Sequence, residues 1–440
     1  MDVKINPTSK LDGTIIAPGS KSYSHRAFIV ASFADGVSVI RNPLISGDVS
    51  VTIEILKTLG VKVLEIAGNK AIVKSEEKSF ESVNQVIDCG NSGTSIRIFS
   101  ALALIIEGGL SLTGEFMKRK RPILPLLDSL KAVGGEYNLS GDVVNIKRVA
   151  MKCDKIIIQG DISSQFITAL LILSTRLDCD KIAKIEIEIT TPLISHPYVK
   201  ITLDVLKSFG IKIIENLNDQ KSGSYLIPCN QRFRPQVYDV PGDFSSAAFI
   251  IAAAVLSKQE SIVTINNLDI ESPQGDKQII EILRKMGASI ETVKEQNQII
   301  IHGNLSKNNL KGIEINCNDI PDLFPILSVI GAFTKKTVLF NASNIRHKES
   351  DRVSAMAREL TKMGVKVEEE EDKMTIYRCK KLSGSTIEHE NDHRIAMACC
   401  IAAINAETSS QIKNIEIVKD SYPTFIKDLK KLGANIEILM

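Results

Sequence analysis

The chain has 440 residues, 44% of them hydrophobic and 24% charged, with a formal charge of +2 and no tryptophan. That length suits two or three domains with ample core, and the near-neutral charge points to neither nucleic acid nor an anionic membrane. No apolar run reaches membrane-spanning length and Met1-Asp2-Val3-Lys4-Ile5-Asn6 is not a signal peptide, so a cytoplasmic location is expected.

In chain order, Gly13-Thr14-Ile15-Ile16-Ala17 reads as a strand and Pro18-Gly19 as a turn. Ser20-Lys21-Ser22-Tyr23-Ser24-His25-Arg26 then opens an apolar helix that stops at Gly36. Free N–H groups at a helix start favour an anion, and Lys21 and Arg26 add charge there. The plainer alternative is a capped helix with solvated charges.

The rest of the chain repeats this design. Amphipathic helices end at Gly60, Gly134, Gly210, Gly287, Gly364 and Gly433, about 75 residues apart, each glycine fitting a left-handed cap. Alternating tripeptides such as Val61-Lys62-Val63 and Ile211-Lys212-Ile213 follow as strands. A second, nearly all-apolar helix begins near Ser22, Asn91, Ser163, Asp243, Asp322 and Asp392, and such a helix is buried. Six units of this kind suit two domains of three in an α/β chain. Pro18-Gly19 and Pro241-Gly242 mark the places where the chain could change domain. The acidic run Glu368-Glu369-Glu370-Glu371-Asp372 reads as a hairpin tip without a function.

The starts of the two helix types collect the chemistry. They carry Lys21 and Arg26; Asn91, Thr94 and Arg97; Arg121; Ser163, Ser164 and Gln165; Ser195 and Tyr198; Asp322; Arg346, Lys348, Glu349 and Arg352; and Asp392, His393 and Arg394. Convergence of these tips would gather many cations with hydroxyls and few acids, a site for a small, multiply anionic ligand. Each residue has a structural alternative. Lys348, Glu349 and Arg352 could form a solvated helix face, Asp322 a cap, and Arg97 and Arg394 pairs with nearby acids.

Other motifs fail. Gly19-Ser20-Lys21-Ser22 lacks the glycines of a phosphate-binding loop. His389-Glu390-Asn391-Asp392-His393 matches a zinc-protease pattern, but Asn391-Asp392 reads as a turn and cap, which separates the histidines. Lys118-Arg119-Lys120-Arg121 reads as a solvated face, except that Arg121 precedes Pro122 at a helix start. The eight cysteines, Cys89, Cys153, Cys179, Cys229, Cys317, Cys379, Cys399 and Cys400, make no C-x-x-C pair, so all are expected reduced and mostly buried.

Taken together, Pro18 to Arg26, Gly90-Asn91-Ser92-Gly93-Thr94-Ser95-Ile96-Arg97 and Arg121-Pro122-Ile123 resemble the 5-enolpyruvylshikimate-3-phosphate synthase family. So do Asp161 to Phe166, Val240 to Ala247 and Ile320-Pro321-Asp322. Asn344 to Arg352 and Asn391 to Met397 carry the strongest likeness, and all occur in family order. The resemblance implies a two-domain, inverse α/β barrel-like enolpyruvyl transferase fold of six βαβαββ units, three per domain. Residues 1–20 and 240–440 would form one domain and 21–239 the other, with the active-site cleft between them.

The implied reaction moves the carboxyvinyl group of phosphoenolpyruvate to the 5-hydroxyl of shikimate 3-phosphate and releases phosphate, in chorismate and aromatic amino-acid biosynthesis. By resemblance, Lys21, Asn91, Gly93, Thr94, Arg121, Gln165, Arg352 and Arg394 would bind phosphoenolpyruvate. Lys21, Ser22, Arg26, Ser163, Ser164, Gln165, Ser195, Tyr198, Asp322, Asn344 and Lys348 would bind shikimate 3-phosphate. Glu349 would be the proton donor and Asp322 or Lys21 the base. No metal or organic cofactor, nucleic acid or membrane partner is implied, and the chain is expected to be a monomer. Two departures stand out: Asp420, with Lys419 one step early, where the family has lysine, and Ile98 where proline is frequent.

An enolpyruvyl transferase acting on UDP-N-acetylglucosamine is the alternative of similar architecture. It usually carries a cysteine near Gly114 to Lys118, where this chain has none. A non-catalytic anion-binding protein is the alternative of another class.

Overall fold

In the computed structural model, residues 1–66, 69–76, 80–150, 155–177, 183–305 and 309–439 are described. They form two compact units, one of Met1–Ser20 with Pro241–Met440 and the other of Lys21–Val240.

Each repeat is a strand, a buried helix, a second strand, an amphipathic helix and a closing pair of strands. Val86–Asp88, helix Gly93–Leu102, Leu110–Thr113, helix Leu124–Leu130, Gly135–Ser140 and Val143–Arg148 run in that order. The first strand lies parallel to the second, which pairs antiparallel with the fourth, and the third takes the outer edge. All six four-stranded sheets follow this plan. Three of them are completed from far along the chain, one by the parallel pairing of Gly13–Ile16 with Ser261–Asn266. Val237–Asp239 pairs in parallel with Gly36–Arg41, and Asp2–Ile5 enters between Ser410–Ile412 and Ile436–Leu439. The crossing points lie together: Ser20 N–H donates to the Pro241 carbonyl at 2.8 Å, and Gly19 bridges Gly242.

The two helix types differ for the reason their patterns give. Helix Phe244–Val255 is buried at every position. In Gln278–Met286 the face Ile279, Ile280, Ile282, Leu283 and Met286 is buried, and Gln278, Glu281 and Lys285 are exposed. All six closing glycines hold φ between +87° and +106°, where a side chain would be strained. Each unit has its own apolar cluster, into which its three buried helices pack.

One strand starts later than its pattern suggests. Ile211-Lys212-Ile213 is irregular and the strand is Ile214–Leu217. The Gln231 side chain takes the place of a neighbouring strand, accepting from Lys212 N–H at 2.7 Å and donating to its carbonyl at 2.9 Å. The acidic run does form a hairpin tip, between Val367–Glu369 and Lys373–Tyr377. Cys89, Cys317, Cys399 and Cys400 are buried thiols, Cys229 and Cys379 are half-buried thiols, and Cys153 and Cys179 lie outside the described residues.

Candidate active site

In the Lys21–Val240 unit, Lys21 is the first residue of helix Lys21–Ala31, and its ammonium lies 3.2 Å from Asp48 Oδ2. One turn on, Arg26 is buried and meets neutral acceptors. Its Nε donates to Thr202 Oγ1 at 2.7 Å and its Nη1 to the Ser22 carbonyl at 2.8 Å. Its Nη2 donates to Thr168 Oγ1 at 3.1 Å and to the Tyr198 carbonyl at 3.2 Å. Burial lowers its pKa to about 10, against smaller upward pulls from Tyr198 and Tyr23, so it stays charged at neutral pH. A buried cation held only by neutral acceptors has charge left for an anion. Neighbouring His25 is neutral, since burial, Lys21 and Arg26 all depress its pKa.

A second cluster surrounds Gly93, which opens helix Gly93–Leu102 behind the cap Ser92. A Cβ on Gly93 would stand 3.2 Å from Arg121 Nη2 and 3.3 Å from both Arg97 Nη1 and Gln165 Oε1. The start of this helix, where the first N–H groups have no intrahelical partner, thus lies beside two guanidiniums. Both lie 4.9 Å from the centre of the Phe116 ring, a cation–π contact that fixes them. Arg97 donates to Gln165 Oε1 at 2.5 Å and to the Pro122 carbonyl, and Gln165 donates to Thr94 Oγ1 at 3.1 Å. Arg121 donates to the Asn91 carbonyl at 3.1 Å and is buried, so it does not belong to a solvated basic face. Ser163 caps helix Ser164–Ser174, and the buried Ser195 holds a left-handed φ of +51° before helix His196–Ser208. Such strain in a non-glycine residue is frequent where a side chain must be aimed.

The other unit gathers its charges around Arg352, whose side chain is 1% exposed. Its Nη1 donates to Asp322 at 2.7 Å, Nη2 to Glu349 at 2.7 Å and Nε to Asp392 at 2.8 Å. Asp322 also accepts from Arg394 Nη2 at 3.0 Å. Burial would raise the Asp322 carboxyl, but Arg394, Arg352 and Lys348 outweigh it and hold the group well below the usual carboxylate range. Asp392 caps helix His393–Ile404 through Arg394 N–H at 2.8 Å. The side-chain amide of Asn344 is sheltered from solvent with both polar atoms lacking a hydrogen-bond partner.

These placements correct one sequence expectation and remove two of its structural alternatives. The site is not poor in acids, since three carboxylates meet Arg352. Asp322 is not a helix cap, because both its oxygens are taken by arginines and the cap position of helix Phe324–Gly331 is Leu323. Arg352 is not on a solvated face. Lys419 is exposed and Asp420 half-buried at the end of a short 3₁₀ stretch, Ile415–Asp420. Ile98 is fully buried, a packing position. His389 lies in irregular chain after strand Thr386–Ile387 while His393 opens a helix, and His389 Nε2 donates to the Lys413 carbonyl at 2.8 Å. Among the described residues no group of three or more His, Cys, Asp or Glu could hold a metal.

Sequence reasoning missed the neighbours that hold the charged groups: Asp48 for Lys21, Thr168 and Thr202 for Arg26, Phe116 for Arg97 and Arg121, and, for Arg352, Asp392, which the sequence marks only as a helix cap. Asp48 sits in the first turn of its helix, which could have flagged it. The threonines lie on helices other than that of Arg26 and gave no local signal.

Comparison of the sequence with known proteins shows one family, and two solved structures share the fold. The family model described as EPSP synthase (3-phosphoshikimate 1-carboxyvinyltransferase) matches residues 5–429. The chain is 43% identical to the 3-phosphoshikimate 1-carboxyvinyltransferase of Methanocaldococcus jannaschii and 41% identical to that of Methanococcus aeolicus. In both cases 99% of each chain is covered. The EPSP synthase structure from Acinetobacter baumannii superposes with a TM-score of 0.80 at 24% identity, covering 100% of both chains. The enolpyruvyl transferase NikO from Streptomyces tendae superposes with a TM-score of 0.79 at 17% identity, covering 99% of this chain and 98% of that one.

Proposed function

The chain belongs to the EPSP synthase family, and on that premise we propose that the polar clusters of its two units bind and turn over the family's two substrates. Its activity is that of a 3-phosphoshikimate 1-carboxyvinyltransferase in the shikimate pathway of aromatic amino-acid biosynthesis. The 5-hydroxyl oxygen of shikimate 3-phosphate adds to C2 of phosphoenolpyruvate while C3 gains a proton. Loss of that proton and of phosphate then leaves the enolpyruvyl ether.

In our assignment Arg26 and Ser22 take the shikimate carboxylate, and Ser163, Ser164 and Ser195 take its phosphate. Tyr198 lies along the ring, and Asn344, Lys348 and Asp322 meet the ring hydroxyls. Lys21, Arg121, Arg352 and Arg394, with Asn91, Gly93 and Thr94, hold phosphoenolpyruvate, and Gln165 serves both substrates. The observation that carries the assignment is the Gly93 helix start with guanidiniums within about 3.3 Å of an added Cβ. It provides the converging donors that a compact dianion requires.

Proton transfer falls to Glu349 as donor and to Asp322 or Lys21 as base. Asp322 is a weak base while two arginines sit on it. Substrate anions that draw those arginines away would raise its proton affinity, which couples binding to catalysis. The same reading has the chain act as a cytoplasmic monomer without nucleic acid, membrane, metal or organic cofactor.

Phosphate release, followed with each substrate alone and with both, tests the reading. Release is expected only when shikimate 3-phosphate and phosphoenolpyruvate are both present. Equal release with UDP-N-acetylglucosamine would favour the alternative transferase, and binding without release would favour the non-catalytic one.

A further inference from the structure

The hairpin tip Glu368-Glu369-Glu370-Glu371-Asp372 has no part in the chemistry above, and a run of acids on a turn is ordinarily just solvated. Here it is gripped. Arg346 Nε donates to the Glu371 carbonyl at 2.8 Å and Nη2 to the Glu370 carbonyl at 2.7 Å. Nη1 donates to Glu369 Oε1 at 2.9 Å and to Asp351 Oδ2 at 2.8 Å. Asp372 closes the other side. Its carboxylate accepts from Ser343 N–H at 2.8 Å, and its carbonyl accepts from Ala342 N–H at 2.9 Å. Ser354 adds a hydroxyl bond to Glu369 at 2.6 Å.

The segment so held has little regular structure of its own. Ser343–His347 is a 3₁₀ stretch, and residues 348–351 are irregular up to helix Arg352–Lys362. Yet this segment bears Asn344, Lys348 and Glu349 and aims Arg352. Asp351 caps the helix through Val353 N–H and Ser354 N–H, both at 3.1 Å. Arg346 therefore touches the cap of the Arg352 helix with one arm and the hairpin backbone with the other two nitrogens. Only a planar fork satisfies acceptors in such different directions, and a lysine would reach about one of them.

We propose that Arg346, by gripping the acidic hairpin tip, is a positioning residue that holds segment 343–352 in its substrate-binding shape. The inference rests on the assignment of Asn344, Lys348 and Glu349 to the substrates. The acids of the tip have a purpose in it: Glu369 and Asp351 balance the guanidinium charge, and the tip's carbonyls fix its plane.

Two measurements on the full-length Arg346→Met enzyme test this. Without substrate, hydrogen exchange of amides 342–352 is expected to quicken at least about tenfold over wild type. With substrates, kcat is expected to fall about 100-fold, and the KM values for shikimate 3-phosphate, assigned to Asn344 and Lys348, and for phosphoenolpyruvate, assigned to Arg352, each to rise about tenfold. Arg346→Lys should fall between the two and carries the same comparison should Arg346→Met not fold. Unchanged exchange across 342–352 would overturn the clamp. So would a fall in kcat with both KM values unchanged, since that reports loss of active molecules and not of alignment. Exchange is read without substrate, so its failure stays distinct from failure of the assignment, which a wild-type enzyme inert toward shikimate 3-phosphate would reveal.

Discussion

At the scale of single residues, Gly93 and Asp276 are governed by what surrounds them. An alanine at Gly93 would bring a methyl within 3.2–3.3 Å of two guanidiniums and an amide, closer than ordinary van der Waals contact. Gly93→Ala is expected to raise the KM for phosphoenolpyruvate about tenfold while leaving that for shikimate 3-phosphate nearly unchanged, since a shift of under an ångström suffices. Glyphosate competes with phosphoenolpyruvate in many members of the family, and the same substitution should weaken it further. Steady-state kinetics with glyphosate titrations checks both, and an unaltered inhibition constant would count against the placement. Asp276 is buried, and burial first, then the charge of Asp322, push its carboxyl up to about 7, against a hydrogen bond from Ser245 and the charge of Arg394. An unfolded aspartate titrates at about 3.9. The folded state therefore holds an extra proton between about 4 and 7, and the stability this gives is complete below that window and lost as pH rises through it. Asp276→Asn should flatten this part of the stability profile in urea titrations from pH 5 to 8. A slope unchanged by the substitution would contradict the assignment.

At the scale of elements, the six repeats share one plan but do not spend it alike. Every buried helix starts beside a turn, and the turns were given different tasks. Asp243 and Ser92 cap their helices through backbone N–H groups. Asp392 does so too, and also carries Arg352 and accepts from Ser350 Oγ at 3.1 Å. That double duty makes the Asp392 carboxylate a junction between two helices. Asp392→Ala removes a cap and leaves buried cations short of a partner, a loss of about 3–5 kcal/mol. Asp392→Asn keeps an acceptor for the cap and should lose distinctly less. Thermal melts of the two variants distinguish a junction from an ordinary cap, for which alanine would cost only about 1 kcal/mol and asparagine almost nothing.

At the scale of the whole molecule, the chain divides its core in two. All buried apolar residues of one cluster run from Tyr23 to Val240, and those of the other come from outside that span. The sheet containing Gly36–Arg41 is closed by Val237–Asp239 from the end of the same span. Residues 21–240 thus own their core and their last strand, so this fragment is expected to unfold in a single cooperative transition by itself. Circular dichroism and chemical denaturation of the fragment test this, and a non-cooperative melt would show that its core depends on the rest of the chain.

The amino-acid sequence by itself determined the repeat, its glycine-capped helices, the buried character of the second helix type and the positions where cations gather, since all of these are local periodicities or short motifs. It also placed the break in the histidine pattern, because an Asn-Asp turn ahead of a helix is a local signal. Only the tertiary structure decided what each charge meets. Arg26 against Thr168 and Thr202, Arg97 against Gln165, and Arg352 against Asp322 and Asp392 are contacts between residues far apart in the chain, and no spacing rule encodes them. The acidic tip shows the same limit. Its turn was legible from its neighbours, but the grip of Arg346 on it arises only when a 3₁₀ stretch and a hairpin pack side by side, and distance in space, which sequence order does not record, sets the energy of a charge.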